Sequence, residues 1–175
     1  MTDVEPRLDD GSEPAEPADL FRRLDELGID HGTVEHPPVY TVEEAKEHRG
    51  RIPGCHTKNL FLRNKKGMMW LVVCREDLEL ELKALARELG AGRFSFGSAK
   101  RLMRHLGVVP GAVSPFAVVN DHDGRVRVVL DRAILEREPL NFHPLDNAMT
   151  TSIGAEDLLR FLEAEDHPPR ILKFE

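Results

Sequence analysis

Three short fragments of this chain combine residue types that can act on a phosphate or an ester. In Gly54-Cys55-His56-Thr57-Lys58-Asn59-Leu60-Phe61-Leu62-Arg63, Lys58 follows a turn-forming glycine and enters a strand whose alternate positions, Leu60 and Leu62, read as core. An ammonium there can project into a cleft at the strand end and meet a phosphate. Its stem can equally lie over the sheet with the charge in solvent. Asn59 falls on the opposite face of a regular strand. In Gly111-Ala112-Val113-Ser114-Pro115, glycine permits close backbone approach and proline holds the loop. Successive amide N–H groups can then face a developing oxyanion, where losing one donor costs about 10²–10³ in rate. The same residues also fit a plain structural turn. Ser114 lies outside a Gly-x-Ser-x-Gly elbow, which argues against a serine-hydrolase mechanism. In Phe142-His143-Pro144-Leu145, the histidine ends an apolar strand and is held extended by the proline after it. It can hydrogen-bond a substrate or a water, or serve only the fold. Asn147, Thr150 and Thr151 follow, either as parts of the same wall or as strand hydrogen-bonding residues.

The elements that must position these fragments alternate along the chain. Asp19 is placed to cap a first helix with Leu20, Leu24 and Leu27 on one side and Gly28 at its end. Thr33 to Glu35 reads as a short strand, Pro37-Pro38 as an extended turn, and Thr41 with Glu44 as the capping box of a helix to about Arg49. Thr57–Arg63 and Met68–Cys74 form a hairpin joined by Asn64-Lys65-Lys66-Gly67. Helices are expected over Glu79–Leu89 and, between Ser98 and Gly107, over Ala99–Leu106. Ala117–Asn120 and Arg125–Leu130 read as strands around an Asp123-Gly124 hairpin turn. Leu140–Phe142, Met149–Ile153 and an edge strand at Ile171–Phe174 follow, with a last helix to about Glu163. Without a regular βαβ rhythm, this mixture indicates an α+β fold.

At 175 residues the chain is sized for one domain that buries a core without disulfides or metal. Its two cysteines, Cys55 and Cys74, lack CxxC spacing, and a reducing cytoplasm suits them. No apolar run reaches the roughly 18–20 residues of a membrane span, and no signal-peptide layout opens the chain. The net charge of −7 sits mostly in the first 19 residues, where seven acidic side chains face Arg7 alone. With three prolines there as well, residues 1–18 read as a flexible, solvated acidic tail and 19–175 as the folded domain. Near-neutral charge over that domain permits a small contact with RNA and excludes an extended phosphate-tracking surface. Lys100, Arg101 and Arg104 make a basic helix that can touch a nucleic-acid stem or be a solvated face. His31, His36, His48, His56, His105, His122 and His167 form no HExxH motif, so no metal site is expected. His56 shares the Lys58 face at i, i+2 spacing.

Taken in order, the three fragments, together with Glu35-His36-Pro37-Pro38-Val39-Tyr40-Thr41, resemble the YbaK/prolyl-tRNA-editing family, and most closely its free-standing ProXp-ala-type alanyl-tRNA(Pro) deacylases. The resemblance runs from about Asp19 to Phe174. It implies a mixed, partly barrel-like sheet surrounded by helices, and a cytoplasmic hydrolase that cleaves Ala from mischarged tRNA(Pro) without metal or cofactor. By the same resemblance, Lys58 holds the phosphate of the terminal adenosine, Gly111 contacts the substrate and His143 positions it. Asn59, Ala112, Val113, Ser114, Pro115 and Thr150 line the site. The implied partners are the tRNA(Pro) acceptor end and, transiently, prolyl-tRNA synthetase, with no DNA and no membrane. The alternatives are a deacylase for Cys-, Ser- or another misacylated tRNA, and a non-catalytic tRNA- or synthetase-binding module.

Overall fold

In the computed structural model, which describes residues 5–38 and 52–174, the strand that carries Lys58 lies at the centre of a mixed sheet. The strands are β1 (His31–Glu35), β2 (Cys55–Arg63), β3 (Met69–Arg75), β4 (Ser95–Phe96), β5 (Val126–Asp131), β6 (Leu140–Phe142), β7 (Met149–Ile153) and β8 (Arg170–Leu172). Their order is β1-β7-β6-β2-β3-β5-β8, with β4 paired to β2 off that path. The helices are α1 (Pro17–Glu26), α2 (Leu82–Leu89), α3 (Ala99–Leu106) and α4 (Ala155–Ala164). The β2–β3 hairpin is antiparallel, as its sequence indicates, and Asn64 fixes the turn. Its Oδ1 accepts from the Met68 N–H at 2.9 Å, and its Nδ2 donates to the Ala91 carbonyl at 2.9 Å. On the other side, β2 runs parallel to β6. Gly54 permits that approach, since it sits at φ +116 and a Cβ there would collide with the Pro139 carbonyl oxygen.

Alternation along the strands sends side chains to two faces. Phe61, Leu71, Val73, Val128, Leu130, Leu140 and Phe142 enter the main core, where Phe116 meets Phe142 and Phe161 edge-on at 5.7 and 5.6 Å. Leu62, Trp70, Val72 and Val129 face the other way, onto Leu85 and Ala86 of α2. Burial of each such side chain contributes about 1.5–3 kcal/mol, so both layers hold the register of β2.

Several elements differ from their sequence reading. Asp19 is not the cap of α1 but its third residue, and its carboxylate accepts from the Glu16 N–H at 2.9 Å while Pro17 opens the helix. The helix expected from Glu79 begins at Leu82, because the Leu78 carbonyl is held by Lys58 and Glu81, just before the helix, is extended at φ −84 and ψ 97. Ala117–Asn120 is not a strand. Pro115 starts a 3-10 helix through Asn120 whose residues are nearly all buried, and β5 then pairs in parallel with β3 and β8 instead of forming a hairpin. The acidic N-terminal segment is not solvated throughout. Leu8 is buried, the Asp9 N–H donates to the Arg104 carbonyl at 2.8 Å, and the Ala15 N–H donates to Asn120 at 2.8 Å. The acidic groups take part in laying the segment down, since Asp9 lies 3.6 Å from the Arg125 guanidinium and Asp10 lies 3.1 Å from His122 Nδ1. The helix expected from Thr41 to Arg49 lies outside the described residues.

Beyond α4, His167 is wedged between the Glu165 carbonyl, 2.6 Å from Nδ1, and the Asp121 carboxylate, 2.8 Å from Nε2. Both oxygens only accept, so both ring nitrogens donate and the buried imidazole is charged. Burial opposes that charge, but the Asp121 and Glu165 bonds outweigh it and raise the His167 pKa above 6.5. Burial also opposes the Asp121 charge, which the bonds from His167, Val126 and Arg125 lower below 3.8. The His167 contribution is therefore full below 6.5 and lost as pH rises through the folded value. The Asp121 contribution is present above 3.8 and lost as pH falls through its own folded value. Urea unfolding should show stability declining on the alkaline side of 6.5. His167→Ala should remove that slope and cost about 3–5 kcal/mol by leaving the Asp121 carboxylate buried without its counter-charge. A wild-type midpoint that stays flat between pH 6 and 9 would contradict the charged pair.

Candidate functional site

Residues that pair across a ladder share a face, and His56 pairs with Asn141 while Asn141 pairs with Ser152. Lys58, two residues beyond His56, extends that face along β2. Past the last β6–β7 pair, Phe142 with Thr151, the same register brings His143 and Thr150 onto it. The sheet thus carries a polar strip of His56, Lys58, Asn141, His143, Thr150 and Ser152, continuous with the apolar layer under α2. Within it, Ser152 Oγ donates to Asn141 Oδ1 at 2.6 Å and Asn141 Nδ2 donates to the Pro53 carbonyl at 3.1 Å.

Lys58 is half-buried and lies within β2 rather than at its mouth, because the strand already begins at Cys55, whose N–H donates to Pro139 O at 2.8 Å. Its Nζ donates to the Leu78 carbonyl and so holds the segment between β3 and α2. An ammonium has three N–H groups, so two remain for an anion. Opposite Lys58 in the ladder is Cys74, whose thiol burial pushes up to about 11 against the pull of the lysine charge. Burial also raises the Cys55 thiol, so neither cysteine is a ready nucleophile. Asn59 points to the core side, where Nδ2 reaches Thr57 Oγ1 at 3.4 Å and Oδ1 is buried without a hydrogen-bond partner.

In the second fragment Gly111 is exposed at φ +97, and a Cβ on it would approach only Asn147 Nδ2, at 3.5 Å. The loop therefore abuts the β6–β7 connection that His143 begins. Ala112 and Pro115 are buried, Val113 packs against the main core, and the Ala112 N–H is already committed to the Val109 carbonyl at 3.0 Å. Val108, Ala112 and Phe116 anchor this loop inward. Of the five residues, Gly111 is the exposed one, with Val113 partly buried and the other three buried. Ser114 is fully buried, and its Oγ has no hydrogen-bond partner.

His143 is half-buried with Nδ1 2.8 Å from the Met149 carbonyl. A carbonyl only accepts, so Nδ1 carries the proton and the neutral ring leaves Nε2 bare. Burial pushes the His143 pKa below 6.5, the Met149 bond opposes that, and a proton placed on the nearby His36 would push in the same direction as burial. Next to it, Thr150 Oγ1 lies 2.8 Å from His36 Nε2, and the His36 and His143 rings meet edge-on at 6.1 Å. Sequence reasoning set His36 aside as one lone histidine among several. Its place in the Glu35-His36-Pro37-Pro38 fragment, directly after the short strand that ends at Glu35, was the available signal.

Among the described residues, no group of three or more His, Cys, Asp or Glu side chains is placed to hold a metal, and no helix is long and apolar enough to cross a membrane. Lys100 and Arg104 of the basic helix line a groove with Glu5, Arg7 and Asp9, so the acidic segment faces that helix directly.

Comparison with known proteins adds independent findings. The aminoacyl-tRNA editing domain matches residues 36–161. The chain is 39% identical to the prolyl-tRNA synthetase associated domain-containing protein 1 of Danio rerio, over 98% of this chain and 97% of that one. It is 41% identical to the prolyl-tRNA editing protein ProX of Acetoanaerobium sticklandii, over 83% of this chain and 89% of that one. A crystal structure of a proposed trans-editing enzyme for prolyl tRNA synthetase has the same fold, with a TM-score of 0.70 at 19% identity over 92% of this chain and 98% of the other.

The His143 geometry has a spectroscopic consequence. In long-range ¹H–¹⁵N spectra at pH 7, His143 should show a protonated Nδ1 and a bare Nε2, and its titration midpoint should lie below 6.5. A midpoint above that value, or the opposite tautomer, would remove the Met149 bond from this description.

Proposed function

Since the chain belongs to the aminoacyl-tRNA editing domain family, we propose that it is a trans-editing hydrolase that removes Ala from mischarged tRNA(Pro) at the 3′ end. The observation that carries this reading is the placement of Lys58 and His143 on one sheet face, with Gly111 against the turn that follows His143. Lys58 would hold the phosphate of the terminal adenosine with the two N–H groups it does not give to Leu78. Gly111 would let the backbone reach the ester carbonyl or the attacking water. His143 would position the aminoacyl end, with Thr150 beside it. Water adds to the carbonyl and the ribose oxygen leaves with a proton, a transfer the neighbouring ribose hydroxyl can assist. Neither cysteine is needed, and no cofactor enters the scheme.

Selection of Ala over Pro follows from size. A synthetase pocket that fits proline discriminates against a smaller side chain by only about 1–3 kcal/mol per methylene, so a second and smaller pocket is the physical remedy. Pro-tRNA(Pro) would share the phosphate contact, and the difference should appear in cleavage rather than in binding. The names of the animal relatives also support association with prolyl-tRNA synthetase as a setting for the reaction.

Incubation with a panel of aminoacyl-tRNAs tests the reading. Ala-tRNA(Pro) should be hydrolysed and Pro-tRNA(Pro) spared. Preference for Cys or Ser esters would assign a different substrate, and no cleavage of any ester would favour a binding module. Lys58→Ala should reduce hydrolysis by orders of magnitude with binding also weakened, and near wild-type rates in a folded variant would remove Lys58 from the site. Gly111→Ala meets no protein atom closer than Asn147 but forces φ +97 on an L-residue. It should cost about 1–2 kcal/mol of stability while lowering the cleavage rate more than tRNA binding.

A further inference from the structure

His36 has its Nδ1 2.9 Å from the Pro37 carbonyl and its Nε2 2.8 Å from Thr150 Oγ1. The carbonyl accepts only, so Nδ1 holds the proton, and in the neutral ring Nε2 is an acceptor. The Thr150 hydroxyl must then spend its single hydrogen on His36 and present only lone pairs to its surroundings. The neighbouring His143 is wired in the same sense, with Nδ1 donating to Met149 and Nε2 bare. Two side chains that can each donate as well as accept have thus been set, by bonds made behind them, to accept alone. Thr150 is almost fully buried and the two histidines are half-buried, so an acceptor pair here discriminates strongly between ligand groups.

A site of acceptors calls for a donor, and the aminoacyl ester carries one small group rich in donors and positive charge, its α-ammonium. We propose that His36 is a positioning residue that turns Thr150 into a pure acceptor, so that Thr150 Oγ1 and His143 Nε2 together seat the α-ammonium of the aminoacyl group. The inference rests on the deacylase reading above and specifies which end of the amino acid these residues hold. It also supplies a reason for His36 to lie at the end of β1, where the antiparallel pairing of β1 with β7 sets Val34 opposite Thr150 and the His36 N–H donates to the Ala148 carbonyl at 2.9 Å.

The test compares single-turnover hydrolysis of alanyl-tRNA(Pro) with that of lactyl-tRNA(Pro), in which a hydroxyl of nearly the same size replaces the ammonium. Wild type should favour the alanyl ester by roughly 10- to 100-fold, the range expected for hydrogen bonds to a charged group. His36→Phe keeps a ring but frees the Thr150 hydroxyl to rotate and donate, so the alanyl-to-lactyl ratio should fall about tenfold. In His36→Gln an amide oxygen can accept the same hydrogen, and the ratio should return toward wild type. Thr150→Val should lower the ratio, and adding His36→Phe to it should lower the ratio no further, because His36 acts through Thr150. A merely structural His36 would reduce both rates together and leave the ratio intact. If His36→Phe does not fold, the tautomer of His36 in wild type and the ratio in His36→Gln still decide the matter. A protonated Nε2 on His36, a wild-type ratio near one, or multiplicative losses in the double variant would each overturn the inference while leaving the deacylase reading in place. Absence of alanyl-tRNA hydrolysis by wild type would instead overturn that reading and, with it, this refinement.

Discussion

The register of β2 between β6 and β3 is the constraint from which the rest follows. Its side chains alternate between a phenylalanine-centred core and a face that is apolar under α2 and polar beside β6 and β7. A slip by one residue would send Lys58 into the main core and bring Asn59 to the face of His143. Such a slip is prevented from both sides, by Phe61 packed in the main core and by Leu62 against Trp70 and α2. Asn64 adds a third restraint at the hairpin turn, where its buried amide is satisfied at both ends. Few of these residues could contact a ligand, yet together they determine which residues can.

The polar strip illustrates how buried hydrogen bonds set chemistry rather than stability alone. Asn141, Ser152, His143, Thr150 and His36 are tied to backbone carbonyls or to one another, and each bond determines what the opposite end of the side chain can offer. Carbonyls are decisive because they accept and never donate, so the tautomer of a ring follows from which nitrogen faces one. The same logic gives His143 and His167 opposite characters. His143 meets one carbonyl and, with burial and a neighbouring histidine, tends to neutrality. His167 lies between a carbonyl and a carboxylate and must be charged. One supplies an acceptor to the strip, and the other fastens the chain beyond α4 to the turn before β5.

Much of this arrangement was legible in the sequence wherever the signal was local. The β2–β3 hairpin, α3 between Ser98 and Gly107, and the β6 and β7 strands follow from turn chemistry, capping and alternation. The 3-10 helix at Pro115 was not legible as such, since a run buried on every side has the composition of a core strand. The first turn of α2 was lost to a tertiary contact, the grip of Lys58 on Leu78, which no window of sequence contains. Leu8 escaped notice because composition weighs seven acidic neighbours against one apolar residue, whereas the segment is held by that residue together with partners distant in sequence, Arg104, Asn120, His122 and Arg125. The fragments around Lys58, Gly111 and His143 stood out by resemblance. The inward orientation of Ala112 and Pro115 and the contact of His36 with Thr150 depend on pairings distant in sequence.

Charge placement bears on what such a site can use for selectivity. The chain carries −7 overall, and its acidic N-terminal segment crosses the basic helix α3, with Glu5 and Asp9 facing Lys100 and Arg104. A protein so balanced gains little from releasing counterions along an RNA stem, because that gain grows with the number of phosphates neutralised. For a tRNA substrate, the affinity must then come from a few contacts at the end of the chain, such as a single lysine on a single phosphate, and that contact is common to every aminoacyl-tRNA. Discrimination falls to groups that meet the amino acid itself, and these must be held in one protonation state and one orientation to be selective. In the reading proposed above, the hydrogen bonds behind His143 and Thr150 would meet that requirement, with pocket size separating Ala from Pro.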